Sequence, residues 1–189
     1  MEVKQVTNED QLKYFYQMRY KVFIEGQKNA PKDLFPDGLF KDDEDDYAFH
    51  LGCYEGATLL GGVSVVIKNT PEAINRKFNE VEREPFNIVC EKESAAIKIL
   101  MVIDENVGND IFIRGRVLEN LFVAVNELIV AHNVKYSYLI AVENTKGLYE
   151  KIGYTQIGDF RLYKGMFWTC PMKLTIENGR PPNPTIRDL

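Results

Sequence analysis

Cysteine and histidine are scarce in this chain of 189 residues, at three and two respectively. Cys53, Cys90 and Cys170 lie far apart and form no CxxC pair. That spacing argues against a disulfide framework and a thiolate metal site, and reduced thiols are expected. With only His50 and His132 to draw on, a histidine-rich metal centre has little material, and no metal is expected. No stretch approaches the ~18 consecutive apolar residues of a membrane span. The opening MEVKQVTNEDQL lacks the apolar run of a signal peptide, so a cytoplasmic location is expected. Basic charge is also in deficit. Lys plus Arg number 23 against 28 Asp plus Glu, a net charge of −5, which argues against a general nucleic-acid binder and leaves room only for a local basic patch.

What is present is the material of a folded chain. Hydrophobic residues make up 45% and charged residues 27%, a balance that disordered segments do not have. The length suits one domain with a real core, expected over residues 1–176. Residues 177–189 carry Pro181, Pro182 and Pro184 without periodicity and read as a tail.

The expected elements follow from periodicity and turn residues. Met1–Val6 reads as a short strand. Thr7 and Asp10 mark a helix start and Gly26 its stop, with Leu12, Phe15, Arg19, Val22 and Phe23 at helical spacing. Residues 27–46 hold Pro31, Pro36, Gly38 and the acidic run Asp42–Asp46, and read as one long loop of the kind that carries function. By base rate the acidic run is a solvated face, with a cationic amine or a metal as other readings. Ala48–Tyr54 and Leu59–Ile67 suggest a hairpin, Glu72–Glu80 a short helix, and Ala95–Ile103 a strand buried on both faces. A turn at 104–109 leads to Asp110 as N-cap of a long helix with the stripe Val117, Leu121, Ala124, Val125, Leu128 and Ile129. Lys135–Val142 reads as a strand, Thr145–Ile152 as a helix closed by Gly153, and Tyr154–Tyr163 with Met166–Ile176 as a closing hairpin. The order describes an α/β domain with a mixed sheet.

Two stretches make the order specific. Met18–Gln27 reads MRYKVFIEGQ and is followed by Asp42-x-x-Asp45-x-x-Ala48-x-His50-Leu51; Asn144–Gly158 reads NTKGLYEKIGYTQIG. Together they resemble the Gcn5-related N-acetyltransferase (GNAT) superfamily, and within it the branch of acyl-homoserine-lactone synthases and N-acyl amino acid synthases. The resemblance runs to about Ile176. It implies an acyl-CoA N-acyltransferase fold, a mixed, mostly antiparallel sheet splayed at its centre and flanked by helices. It implies N-acyl transfer from a pantetheine thioester, carried by acetyl-CoA, acyl-CoA or acyl carrier protein, to a small amine or amino acid.

The resemblance also implies roles. Met101, Val102 and Ile103 would present backbone to the pantetheine arm, with a backbone N–H near Val102 stabilising the oxyanion. Leu139–Val142 would be the facing edge. Tyr149 takes the position of the general acid that protonates the leaving thiolate, or is an ordinary core aromatic. Gly108, Asn109, Arg114, Gly115 and Asn144 fall on the donor side, and Arg19, Phe23, Asp45 and His50 on the acceptor side. Arg19 is expected to pair with a carboxylate of the acidic run. His50 either orders the acceptor cleft or is a satisfied structural residue.

Departures from the family pattern matter as much. The family's phosphate-binding turn, Arg/Gln-x-x-Gly-x-Gly/Ala, is replaced by ENVGNDIFIRGRVLENL, and Asp110 would repel a phosphate there. Arg114 and Arg116 either receive the single phosphate of a carrier-protein arm or are solvated arginines beside Glu119. A carrier partner would need Arg114, Arg116, Lys146 and Lys151 to form a basic face. The family's Glu-x-x-Arg strand positions correspond to Ala96 and Ile99, near Lys98, so the usual base is missing and Glu91, Glu93, Asp104, Glu143 or water would serve. Phe23, Phe35, Leu39, Phe40, Phe112, Phe122 and Phe167 line an acyl tunnel or fill the core. A binding module without turnover and an ordinary acetyltransferase are the competing readings.

Overall fold

The structure, a computed structural model, describes residues 1–28, 30–78, 80–102, 107, 110–163 and 167–176. The expected turn residues Ile103, Asp104, Gly108 and Asn109 and the tail 177–189 lie outside these. The described strands are β1 (Glu2–Gln5), β2 (Phe49–Glu55), β3 (Thr58–Ile67), β4 (Ser94–Val102), β5 (Tyr136–Val142), β6 (Thr155–Gln156), β7 (Arg161–Tyr163) and β8 (Phe167–Thr175). The described α-helices are α1 (Glu9–Arg19), α2 (Ile111–Ala131) and α3 (Glu143–Ile152). The strand order is β1-β2-β3-β4-β5-β8-β6, with β7 on β8. Among the described pairings only β4 with β5 is parallel, Ser94–Ala96 against Tyr136–Tyr138. The chain forms two compact units, Met1–Val65 with Lys98–Val125, and Val66–Ile97 with Asn126–Leu189.

In the first unit, Asn8 rather than Thr7 caps α1, its side-chain oxygen accepting from the N–H of Asp10 and Gln11 at 2.9 and 3.3 Å. Asp10 therefore gives its own N–H to the cap, and its carboxylate is not the reciprocal partner. The helix then widens into a π-helix over Tyr20–Gly26, where Gln27 N–H reaches back to the Val22 carbonyl at 3.0 Å. The core of this unit gathers Val6, Phe15, Tyr16, Met18, Tyr54, Leu59 and Met101, with Leu12, Val22, Phe23 and Leu39 against it. Phe15 lies so close to Gly62 that a Cβ there would meet its ring at 2.4 Å. The β2–β3 hairpin forms as expected, with a register shift between Cys53 and Tyr54.

In the second unit, β5 and β8 pair from Tyr136–Thr175 to Val142–Thr169. The expected helix at 72–80 is instead a set of turns. After Thr70, the amides of Ala73, Ile74 and Arg76 close short bonds, and the N–H of Phe78 is then taken by the Glu82 carboxylate at 2.7 Å. That side chain also accepts from Cys90 N–H at 2.9 Å and pairs with Lys68, so it draws the segment out of helical register. The closing hairpin is likewise broken. β6 pairs with Lys173 and Met172 and β7 starts opposite Thr169, leaving the stretch between them off the ladder. Pro171 lies in that interval and has no N–H to offer its neighbour. Helix α3 begins at Glu143, two residues earlier than expected, and ends on Gly153 with φ 108°.

All three cysteines are free and buried. Burial raises the Cys53 and Cys170 thiols and pushes that of Cys90 up to about 12.

Candidate functional site

Helix α1 has buried its one arginine. Arg19 is 0% exposed, and its Nη1 donates to Asp45 Oδ1 at 2.7 Å. This is the expected pairing with the acidic run, and that run is a solvated face only in part, at Asp43 and Asp46. Glu44 and Asp45 are buried, at 2% and 5% exposure. The loop folds inward because its own polar groups are used locally: Asp45 Oδ2 accepts from Asp42 N–H at 2.8 Å, and Asp42 Oδ1 from Glu44 N–H at 2.9 Å. Lys98 from β4 completes the cluster. Its ammonium lies 2.6 Å from Glu44 Oε2 and donates to both Asp42 oxygens. Burial alone would raise the Asp42 carboxyl, but the Lys98 charge and hydrogen bonds outweigh it and hold it below the ordinary value.

His50 sits beneath this cluster, 3% exposed. Its Nε2 is 3.1 Å from the Asp45 carbonyl and 3.2 Å from the Tyr16 hydroxyl, and its Nδ1 is 2.9 Å from Ser64 Oγ. A carbonyl only accepts, so Nε2 carries the proton and Nδ1 accepts from Ser64. Burial lowers the His50 pKa and so favours the neutral ring, although the Asp45 charge opposes it. Burial, with the Asp45 charge next, pushes the Tyr16 hydroxyl up to about 12. Ser64 is fully buried and cannot meet a substrate, so this is a support and not a nucleophile–base pair.

An aromatic wall stands beside the cluster. Phe23 and Phe35 approach Phe40 with ring centroids 6.0 and 5.3 Å apart. The Arg19 guanidinium packs over Phe40 and Tyr16 at 5.1 and 5.4 Å. The structure thus brings four acceptor-side residues of the sequence reading, Arg19, Phe23, Asp45 and His50, into the neighbourhood of one core. Lys98 is the member that the sequence reading passed over. Its signal was available: a lone lysine inside the apolar run AAIKILMVI requires an ionic partner.

Of the residues expected on the donor side, Met101 shares a core with Tyr16 and Phe23. Met101 is 1% exposed, its side chain spent in the core, so only its backbone is available to a ligand. Val102 ends β4. Asp110 caps α2 as expected, its Oδ1 accepting from Phe112 and Ile113 N–H at 2.9 and 3.1 Å. Those amides are therefore already satisfied by a carboxylate, and this helix start does not fit a diphosphate. Arg114 and Arg116 stand two residues apart on α2, where side chains do not share a face. Between them Gly115 is exposed, with open space where a Cβ would be. Of the seven residues proposed for a tunnel, Phe112 is 86% exposed and belongs to neither tunnel nor core.

On α3, Asn144 is exposed and Tyr149 is half-buried. The Tyr149 ring meets Tyr154 edge-on at 5.8 Å, and burial raises its hydroxyl pKa. Tyr154 in turn bonds Ser137 at 2.7 Å, so a fixed ring supports the edge of Tyr149. Lys146 pairs with Glu150 along the same helix, and Lys151 is exposed. Among the expected bases, Glu91 is held by Lys173 at 2.6 Å and by the Tyr138 hydroxyl. Although burial raises it, those bonds bring its pKa down, which makes it a poor proton acceptor. Glu93 faces Lys135 at 3.5 Å, and Glu143 is exposed in the first turn of α3.

No family model matches the chain, and no curated protein matches it in sequence. Solved structures do. BjaI, a CoA-dependent acyl-homoserine lactone synthase seen with SAM and isopentyl-CoA, matches at TM-score 0.66 and 18% identity, over 90% of this chain and 78% of its own. The acyl-homoserine lactone synthase LasI matches at 0.67 and 11%, over 92% and 88%. FeeM, an N-acyl amino acid synthase from uncultured soil microbes, matches at 0.66 and 14%, over 94% and 92%. The chain has the GNAT-like acyl-CoA N-acyltransferase fold that the sequence motifs anticipate.

Proposed function

We propose that the protein is an N-acyltransferase that moves an acyl group from a pantetheine thioester to a small amine. The observation that carries this reading is the likeness of nearly the whole chain to synthases that join acyl groups to amines. The arrangement of Tyr149 supports it. A phenol whose pKa is raised by burial stays protonated at neutral pH and is able to donate. In the reaction, the amine nitrogen attacks the thioester carbonyl carbon, and a backbone N–H near Val102 stabilises the oxyanion. The carbon–sulfur bond then breaks, the thiolate takes the Tyr149 proton, and the proton lost by the attacking ammonium passes through solvent to restore the phenol. Ile103, Gly108, Asn109, Arg114, Gly115 and Asn144 complete the donor side of this proposal. The capped start of α2 does not fit a diphosphate grip there, and Arg114 and Arg116 do not share a face that would receive a carrier protein, so the donor is proposed only as a pantetheine thioester, borne by CoA or by acyl carrier protein.

The test is thiol release from acetyl-CoA, long-chain acyl-CoA and acyl carrier protein thioesters with a panel of amines. Turnover is expected, with Tyr149→Phe folded, binding donor normally and losing about 10²-fold or more in kcat. Donor binding without turnover by any amine would make the chain a binding module instead.

A further inference from the structure

Phe112 serves neither tunnel nor core, and it does not stand alone on its helix. Phe112, Arg116, Glu119 and Val123 follow one another at steps of four, three and four residues, which places them on one face of α2. All four are exposed, Phe112 at 86% and Val123 at 55%, and all belong to the first compact unit. Alternating steps of four and three residues are those of a seam along which two helices pack. Between its apolar ends this seam carries one cation and one anion, so neither an acidic nor a basic partner gains from its charge.

The order of the four residues is self-complementary. The midpoint between Phe112 and Val123 is also the midpoint between Arg116 and Glu119, between residues 117 and 118. A two-fold axis through that point, perpendicular to the helix, sets a second copy antiparallel. It brings Phe112 against Val123 of the second copy and Arg116 against Glu119 of the second copy, and each contact occurs twice. A parallel copy would instead stack Arg116 on Arg116 and Glu119 on Glu119. We propose that this face of α2 joins two copies of the chain as an antiparallel helix pair. The inference stands apart from the acyltransferase reading. The four residues span about 16 Å of helix, which is short for an interface, so the dimer is expected to be a weak one.

The measurement is sedimentation velocity of the full chain at rising concentration, from about 10 μM to about 1 mM. A dimer is expected to appear within that range. Arg116→Glu and Glu119→Arg each set like charges against one another and are expected to weaken it at least about tenfold. The double variant R116E/E119R restores opposite charges at both contacts, and so does a mixture of the two single variants. Both are expected to recover the dimer, which a misfolded variant would not do. A monomer throughout would overturn the proposal. So would a dimer indifferent to both reversals, or one that neither the double variant nor the mixture recovers. Acyl carrier protein bound by the wild type and released by Arg116→Glu, with no dimer at any concentration, would assign the face to that carrier and overturn the second copy.

Discussion

The Lys98 ammonium lies 2.8 and 2.7 Å from the two carboxylate oxygens of Asp42, 56 residues earlier in the chain. This contact fastens the acidic loop to a core strand. Lys98→Met keeps the shape of the stem but leaves Asp42 and Glu44 without their shared cation, and it is expected to destabilise the fold by about 3 kcal/mol or more. The wild type is also expected to lose stability in acid. Asp42 has its pKa depressed below the ordinary 3.8, so its contribution is full above that value and disappears as pH falls through the lower folded one. Urea titrations of both proteins from neutral to acid pH measure the two effects, and a slope in the variant as steep as in the wild type would contradict the assignment.

His50 sets a second, milder pH dependence. Its folded pKa lies below the ordinary 6.5, so in mildly acidic solution the unfolded chain binds a proton that the folded chain does not. Stability is full above the unfolded value, falls as pH drops through it, and levels off below the folded one. His50→Gln is expected to be less stable throughout and flatter between about pH 7.5 and about pH 5.5. Calorimetric melting points across that interval provide the comparison.

Much of this fold was legible in periodicity. The stripe Val117–Leu121–Val125–Ile129 is the buried face of α2, and Gly153 ends α3 where a left-handed residue was expected. What escaped was long-range. The helix expected at 72–80 lost its amide at Phe78 to Glu82, and the last hairpin was split opposite Pro171, which pattern reading along one strand does not register. Asp43 and Asp46 keep the solvated side expected of the acidic run, and the buried cations Arg19 and Lys98 bring Glu44 and Asp45 inside. Arg19, Phe23, Asp45 and His50 on the candidate acceptor side were therefore visible as residue types, and their partner on β4, Lys98, was not.

Two glycines are expected to respond oppositely to alanine. At Gly62 the added methyl would meet the Phe15 ring at 2.4 Å and is expected to cost about 1–3 kcal/mol. At Gly115 the methyl enters open space within α2 and is expected to add about 0.5–1 kcal/mol. Thermal melts of the two variants decide this. If Gly115→Ala is more stable yet weakens donor binding, that glycine is kept for the donor.

Asp110 tests donor choice. Asp110→Ser preserves a cap on α2 with little change in stability, a few tenths of a kcal/mol by analogy with other good caps, roughly. It removes the negative charge from the helix start. The variant is expected to use acyl-CoA with a lower KM and acyl carrier protein much as before. Steady-state kinetics with both donors would show otherwise if the KM for acyl-CoA stayed put or rose.

The three buried cysteines have a practical consequence. Cys53 belongs to the first compact unit and Cys90 and Cys170 to the second, so the chain carries a built-in reporter in each. A thiol reagent reaches them only through local or global opening. Timed alkylation followed by peptide mass spectrometry would give the opening rate of each unit separately, and would show whether the two come apart together or one at a time.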